Sequence, residues 1–154
     1  MTHAANSLSI RKGEKADIPA MVELLTQLFS IEADFQAAPE KQTKGLELLL
    51  RHPDAVIWVA ESGGEVVGMI TLQVLISTAE GAAVGLIEDL VVAESWRRHG
   101  AGRELLRTAE AWATKQSLTR LQLLADRQNA AALAFYRQQG WSGTQLMGLR
   151  KLLR

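Results

Sequence analysis

From Ala55 to Val92 the sequence reads as three successive apolar β arms, broken only by turn residues. Ala55–Glu61 reads as a strand, Ser62-Gly63-Gly64 as a turn, and Val66–Ile76 as the returning arm. Glu80-Gly81 marks a second turn before Val84–Val92. In the long arm Ile70, Leu72, Val74 and Ile76 share one face, while Thr71 and Gln73 point the other way. Three adjacent arms of this kind commit the stretch to an antiparallel sheet. From Gly100 to about Gln116 the period becomes helical, with Leu105, Ala109, Trp112 and Ala113 on one side.

The flanks supply the remaining elements. Leu8–Arg11 is a short first strand, and Asp17 is the expected N-cap of a helix with Pro19 in its first turn. Ile18, Met21, Val22, Leu25, Leu28 and Phe29 form its apolar stripe. Glu40–Arg51 is a second helix, stopped by Pro53, with Leu46, Leu49 and Leu50 as its inner side. After the long helix come a short strand, Leu121–Leu124, and an Ala-rich helix, Asn129–Gln139, ended by Gly140. Trp141–Leu153 is expected to hold one or two closing strands. No repeat or linker divides the chain, so residues 1–154 read as a single mixed α+β domain, with antiparallel arms before a strand–helix–strand unit.

Several function classes drop out on composition. Seventeen basic residues balance seventeen acidic ones, which removes the basic excess a nucleic-acid binder uses to neutralise phosphates. There is no cysteine, hence no disulfide, thiolate zinc site or thiol nucleophile. His3, His52 and His99 form no ligand pattern, so no metal is implied. The polar start and the lack of a run of ~20 apolar residues give the expectation of a cytoplasmic protein without a membrane span.

The most informative stretch is Ile87-Glu88-Asp89-Leu90-Val91-Val92, followed by Ala93–Trp96 and then Arg97-Arg98-His99-Gly100-Ala101-Gly102-Arg103. A strand runs into a short loop that opens a long helix. The first N–H groups of a helix have no internal acceptors and carry the positive end of its dipole. Glycines let a phosphate approach such a backbone, and arginines add charge-assisted bonds. Gly102-Arg103-Glu104 lacks the Gly-Lys-Ser/Thr of a P-loop, and the glycine spacing is not that of a dinucleotide fingerprint. The parts combine into a pyrophosphate site.

Here the sequence resembles the GNAT superfamily of acetyl-CoA-dependent N-acetyltransferases. Arg97, Gly100 and Gly102 match its Arg/Gln-x-x-Gly-x-Gly/Ala cofactor motif, with Leu90-Val91-Val92 as the strand end before it. Asn129, Ala132, Phe135, Tyr136, Gly140 and Trp141 match its second motif, Asn-x-x-Ala-x-x-Phe-Tyr-x-x-x-Gly-Phe/Trp. The resemblance implies a mostly antiparallel twisted sheet flanked by helices and splayed at the cofactor strand. It also implies that the amides from Arg98 to Arg103, His99 and Ala101 among them, cradle the pyrophosphate. Leu90 and Val92, either side of Val91, would pair with the pantetheine arm, and a β-bulge is expected near Asp89. Asn129 would bond pantetheine, and Tyr136 would sit near the thioester sulfur. Ala93 and Trp96 depart from the family's usual loop, and Trp96 is expected to be a packing or surface variant. A homodimer is expected from the same resemblance.

Acetyl transfer to an amine requires a base, a polarised carbonyl and a proton for the departing thiolate. Tyr136, the one tyrosine in the chain, is the candidate acid, since a phenol with pKa about 10 is protonated at neutral pH. Phe135 beside it is free to take the core position. Glu88 is the candidate base or substrate anchor, in an otherwise apolar strand where an unpaired buried carboxylate would be costly. A bulge makes its face uncertain, so Asp89 is a rival. The pair Glu88-Asp89 before Leu90 also resembles diamine and polyamine acetyltransferases of the superfamily. Phe29, Glu32, Asp34 and Phe35 are either acceptor-site lining or the end of an amphipathic helix. Without a cysteine to carry an acetyl group, direct transfer to a small-molecule or protein amine is expected. The alternative is a non-catalytic acetyl-CoA-binding regulatory module.

Overall fold

A computed structural model describes residues 7–32 and 34–153 of the chain. The chain divides into two compact units, Met1–Gln122 and Leu123–Arg154. Five strands lie side by side in chain order: β1 (Ser9–Lys12), β2 (Ala55–Ser62), β3 (Glu65–Ser77), β4 (Ala82–Val92) and β5 (Leu121–Leu123). The first four pair antiparallel. Gly63 and Gly64, at φ 57° and 81°, close the β2–β3 hairpin between the paired Ser62 and Glu65. Two left-handed residues make a turn whose twist suits the strands it joins. The link from β4 to the β5 segment starts with Thr119 N–H to Ala83 O at 3.2 Å and Gly85 N–H to Arg120 O at 2.9 Å. Residue numbers rise together on the two sides, so this last pairing is parallel.

Four helices accompany the sheet: α1 (Ile18–Ile31), α2 (Pro39–Arg51), α3 (Ala101–Lys115) and α4 (Ala130–Gln138). On one face Met21, Leu24 and Leu25 of α1 and Leu46 of α2 pack on Ile57, Val59, Met69 and Val91. On the other face α3 places Trp112 edge-on to Trp58, ring centroids 5.6 Å apart, with Leu105 over Gly68. Covered on both sides, β3 is buried without interruption from Val67 to Leu72, which explains its near-continuous apolar run. Ile76 lies beyond this cover and is exposed, so the face it was expected to share with Ile70 and Leu72 reaches solvent at that end.

One expectation holds in position only, and another needs correction. Asp17 stands at the start of α1 but makes no side-chain cap bond to it. Its carboxylate instead accepts two bonds from Arg11, at 2.8 and 2.9 Å, and one from the Glu14 N–H at 2.8 Å. A guanidinium offers two charged donors at once, which outcompetes a single helix amide. Second, no strand forms in residues 141–153. A strand needs a partner ladder as well as an alternating pattern, and none of residues 142–153 is in one. His3 lies outside the described residues. Among the described residues no helix is long and apolar enough to cross a membrane.

Candidate active site

The strand β4 is irregular where the sequence puts its two carboxylates. Ile70 pairs with Leu90 and Leu72 with Ile87, so Glu88 and Asp89 together oppose Thr71. This is the expected bulge, two residues against one. It changes which residues address which neighbour. Before it, Ala83 and Gly85 bond toward the β5 side; after it, Ala93 directs its N–H at Val67 of β3 at 2.8 Å. Backbone direction alternates along a strand. Val91 therefore faces β3 like Ala93, while Leu90 and Val92 turn their N–H and C=O groups to the opposite edge. A chain lying along that edge would meet a ready-made ladder.

The two ends of β4 differ in how closely they are approached. At Gly85 an added Cβ would lie 2.5 Å from a Leu121 methyl carbon and 3.3 Å from one of Leu118, so the neighbouring segment is close. On the parallel register set there, β5 ends at Leu123, short of Leu90–Val92. The cofactor strand thus has a close contact at one end, a bulge in the middle and a short neighbour.

Glu88 and Asp89 have separate fates. Glu88 is exposed, and Asp89 is half-buried. Asp89 accepts a bond from the Thr71 hydroxyl at 3.2 Å, and its own N–H donates to the Thr71 oxygen at 3.1 Å. Burial, helped by the neighbouring Glu88 charge and more weakly by Glu32, pushes the Asp89 carboxyl up to about 6, against the opposing pull of the Thr71 bond. A carboxyl poised there is ionised at neutral pH yet basic enough to take a proton. Thr71 is fully buried and was not singled out by sequence reasoning as a site residue. Its signal was visible all the same: a hydroxyl in the middle of an apolar central strand needs a partner.

Beyond Val92 the chain makes one 3-10 turn, Glu94–Trp96, and enters the loop before α3. Arg98 and Gly100 both adopt left-handed backbone, at φ 66° and 83°. Gly100 is the N-cap of α3, and the first bond into the helix runs from the Glu104 N–H to Gly100 O at 3.0 Å. The amides of Ala101, Gly102 and Arg103 thus head the helix, where its dipole is positive. A Cβ at Gly100 would find only an Arg103 nitrogen, at 3.8 Å, within contact range, so the space before the amides is open. Arg97 and Arg98 are exposed beside it. His99 Nδ1 lies 2.9 Å from Arg97 O and its ring is tilted against Trp96, centroids 5.4 Å apart. His99 and Trp96 brace the loop. Open amides, a glycine and two arginines match what a diphosphate requires. The positive φ of Arg98 had no signal in the sequence.

Asn129 and Tyr136 belong to the second unit. Asn129 caps α4, its Oδ1 accepting from the Ala132 N–H at 3.1 Å, which leaves the Nδ2 donors outside that bond. The helix ends at Gly140, φ 87°, with the Gly140 N–H bonded to Arg137 O and the Trp141 N–H to Tyr136 O, each at 3.0 Å. This paired closure is the C-terminal role expected of Gly140. The Tyr136 ring lies between Phe135 and Trp141, at centroid distances of 5.3 and 6.0 Å.

Comparison with known proteins decides the reaction class. Residues 18–141 match the acetyltransferase (GNAT) family. The chain belongs to that family. Its fold and its family membership make it an acetyl-CoA-dependent N-acetyltransferase. It is 28% identical over 137 residues to Uncharacterized N-acetyltransferase YhfO of Bacillus subtilis, covering 87% of this chain and 89% of the relative. It is also 28% identical over 132 residues to the aminoalkylphosphonate N-acetyltransferase of Salmonella typhimurium, covering 86% and 83% of the two chains. Among solved structures, aminoglycoside N-acetyltransferase AAC(6')-Iy in complex with CoA superposes with a TM-score of 0.83 at 16% identity, covering 98% of this chain and 99% of that one. At that identity the likeness speaks for the GNAT fold.

Proposed function

We propose that this GNAT enzyme transfers the acetyl group of acetyl-CoA directly to the primary amine of a small cationic molecule, with Asp89 as the base. The carrying observation is Asp89 itself: a half-buried carboxylate at a bulge, tied to Thr71 and pushed up to about 6. Glu88 is more exposed and serves as an anchor for the acceptor's positive charge. The similar aminoalkylphosphonate N-acetyltransferase supports a small amine acceptor.

Bound acetyl-CoA supplies a thioester whose C–S bond breaks as the C–N bond to the amine forms. The amides of Ala101, Gly102 and Arg103, with Arg97 and Arg98, hold the diphosphate. Leu90 and Val92 align the pantetheine arm through their outward backbone groups, and by the family resemblance Asn129 is the candidate for a pantetheine bond. Asp89 removes the proton from the ammonium so that a neutral nitrogen attacks. Tyr136 gives its hydroxyl proton to the departing sulfur. No residue takes the acetyl group, in keeping with a sequence without cysteine. The reading places the enzyme in the cytoplasm.

The test is a panel of small mono-, di- and polyamines incubated with enzyme and acetyl-CoA. Thiol release is followed in parallel with the mass of each acceptor. The expected result is a gain of one acetyl group on at least one amine, with stoichiometric thiol. Tight acetyl-CoA binding without acetylation of any amine overturns the proposal in favour of a regulatory module.

A further inference from the structure

The side chains of Trp96 and His99 carry no step of the acetyl transfer, yet they hold the loop before α3 together. His99 Nδ1 reaches back across Arg98 and lies 2.9 Å from Arg97 O, a good hydrogen-bond distance. A carbonyl oxygen only accepts, so Nδ1 carries the hydrogen and the neutral ring is held as that tautomer. The ring is tilted 57° against the Trp96 indole, centroids 5.4 Å apart. Trp96 is fixed in its turn. It ends the 3-10 turn Glu94–Trp96, with its N–H on Ala93 O at 2.8 Å, and the Ala93 N–H is on Val67 O of β3 at 2.8 Å. The Glu94 N–H donates to Gln27 Oε1 of α1 at 3.3 Å. A series of contacts therefore runs from the sheet and α1 through the indole to the imidazole.

The residue that the His99 bond spans is the strained one. Arg98 has φ 66°, a region that its Cβ disfavours and that an arginine side chain does not ease by local bonding as Asn or Asp would. The peptide between Arg97 and Arg98 is planar, so its C=O and its N–H point in opposite directions. Holding Arg97 O on the imidazole therefore aims the Arg98 N–H, the first of the amides expected to cradle the diphosphate. The same bond opposes the return of Arg98 to an ordinary backbone conformation.

We propose that His99 and Trp96 are positioning residues that keep the left-handed Arg98, and with it the diphosphate amides, in the binding geometry before coenzyme A arrives. The imidazole acts through its Nδ1–H on Arg97 O, and the indole acts by bracing the imidazole. This rests on the reading of the loop as the diphosphate site, and gives two side chains a role beside that of the backbone.

Calorimetry with acetyl-CoA on the full chain and its variants tests it. His99→Ala should raise Kd about 10-fold, for the loss of one neutral hydrogen bond and one ring contact. His99→Asn puts an amide donor near the Nδ1 position and should recover most of the affinity. His99→Gln, whose amide reaches the Nε2 position, should not. Trp96→Ala should weaken binding as well, and should add little to His99→Ala in the double variant, because the two rings act as one unit. Imidazole nitrogen chemical shifts of the ligand-free protein, assigned to His99 by their absence from His99→Asn, should show the hydrogen of the neutral ring on Nδ1. Rescue by Gln in place of Asn overturns the proposal, since the ring would then act through Nε2. Losses that add in full, or a neutral ring with its hydrogen on Nε2, overturn it too. Unchanged affinity in His99→Ala beside a wild type that binds removes this role alone. A wild type that does not bind acetyl-CoA removes the diphosphate site and this role together.

Discussion

Thr71 and Asp89 hold each other across the β3–β4 ladder by two hydrogen bonds. The hydroxyl accepts from the Asp89 N–H at 3.1 Å and donates to the carboxylate at 3.2 Å. The first bond ties the bulge to β3 in place of a regular backbone pair. The second restrains the rise that burial imposes on the carboxyl. One side chain thus governs both where the candidate base sits and how strongly it binds a proton.

If Asp89 is the base, kcat/KM for an amine acceptor falls below an inflection near pH 6, as the carboxylate takes up a proton. Asp89→Asn should lower kcat/KM by about 10²- to 10⁴-fold and remove that inflection. Thr71→Val withdraws the bond that lowers the carboxyl, so the inflection should move to higher pH. A pH–rate profile of the three proteins checks this, and an unshifted profile in Thr71→Val would separate the hydroxyl from the titration.

The same carboxyl costs stability. Its folded value, about 6, lies above the ordinary value of 3.8. Between those two pH values the folded state keeps a proton that the unfolded state has lost, so stability declines as pH rises through the window. Above pH 6 the penalty is complete, roughly 1–3 kcal/mol. Asp89→Asn should therefore be more stable than wild type at pH 7.5 by about that amount, with the gap closing near pH 4. Urea unfolding at the two pH values measures it.

Arg11→Ala leaves the largely buried Asp17 carboxylate with the Glu14 N–H and without its charged partner. The expected loss is about 1–3 kcal/mol at pH 7. The Arg11 bond holds the Asp17 carboxyl below its ordinary range, so the contribution is present at neutral pH and fades as the carboxylate is protonated in acid. Denaturant midpoints of wild type and variant should converge as the pH is lowered.

Gly100→Val places a β-branched residue at φ 83° and fills the space before the α3 amides. Acetyl-CoA affinity should fall at least 10-fold by calorimetry, and far-ultraviolet circular dichroism should stay unchanged. Retained affinity would remove the cradle from the binding site.

Tyr136→Phe keeps the ring between Phe135 and Trp141 and removes only the hydroxyl. The expected result is a fall in kcat of about 10²-fold or more with acetyl-CoA affinity within a few-fold of wild type. Full turnover would exclude the phenol as the acid.

Legibility followed the range of the forces involved. The β2–β3 hairpin, the stop at Gly140 and the start of α3 are local events, encoded by glycines at left-handed positions and by changes of period. The bulge near Asp89 was expected from the family resemblance alone, and two carboxylates in an apolar strand mark its place. Asp17 takes the N-cap position as expected but makes no cap bond, because Arg11, six residues earlier, competes for the carboxylate. The division of labour between Glu88 and Asp89 could not be read from alternation, since the bulge itself reverses the parity on which alternation rests. The expected closing strands do not form, because a strand needs a partner ladder, which no run of thirteen residues can specify.

Two left-handed residues within three positions, Arg98 and Gly100, give the approach to α3 a fixed curl before any ligand arrives. A non-glycine residue held there stores about 1–3 kcal/mol of backbone strain. The surrounding packing meets that cost during folding, so an incoming diphosphate finds its donors already aimed and forfeits little entropy in ordering them. If this loop holds coenzyme A, its grip is set by the shape of the resting protein, leaving the ligand's own binding energy available for the thioester end.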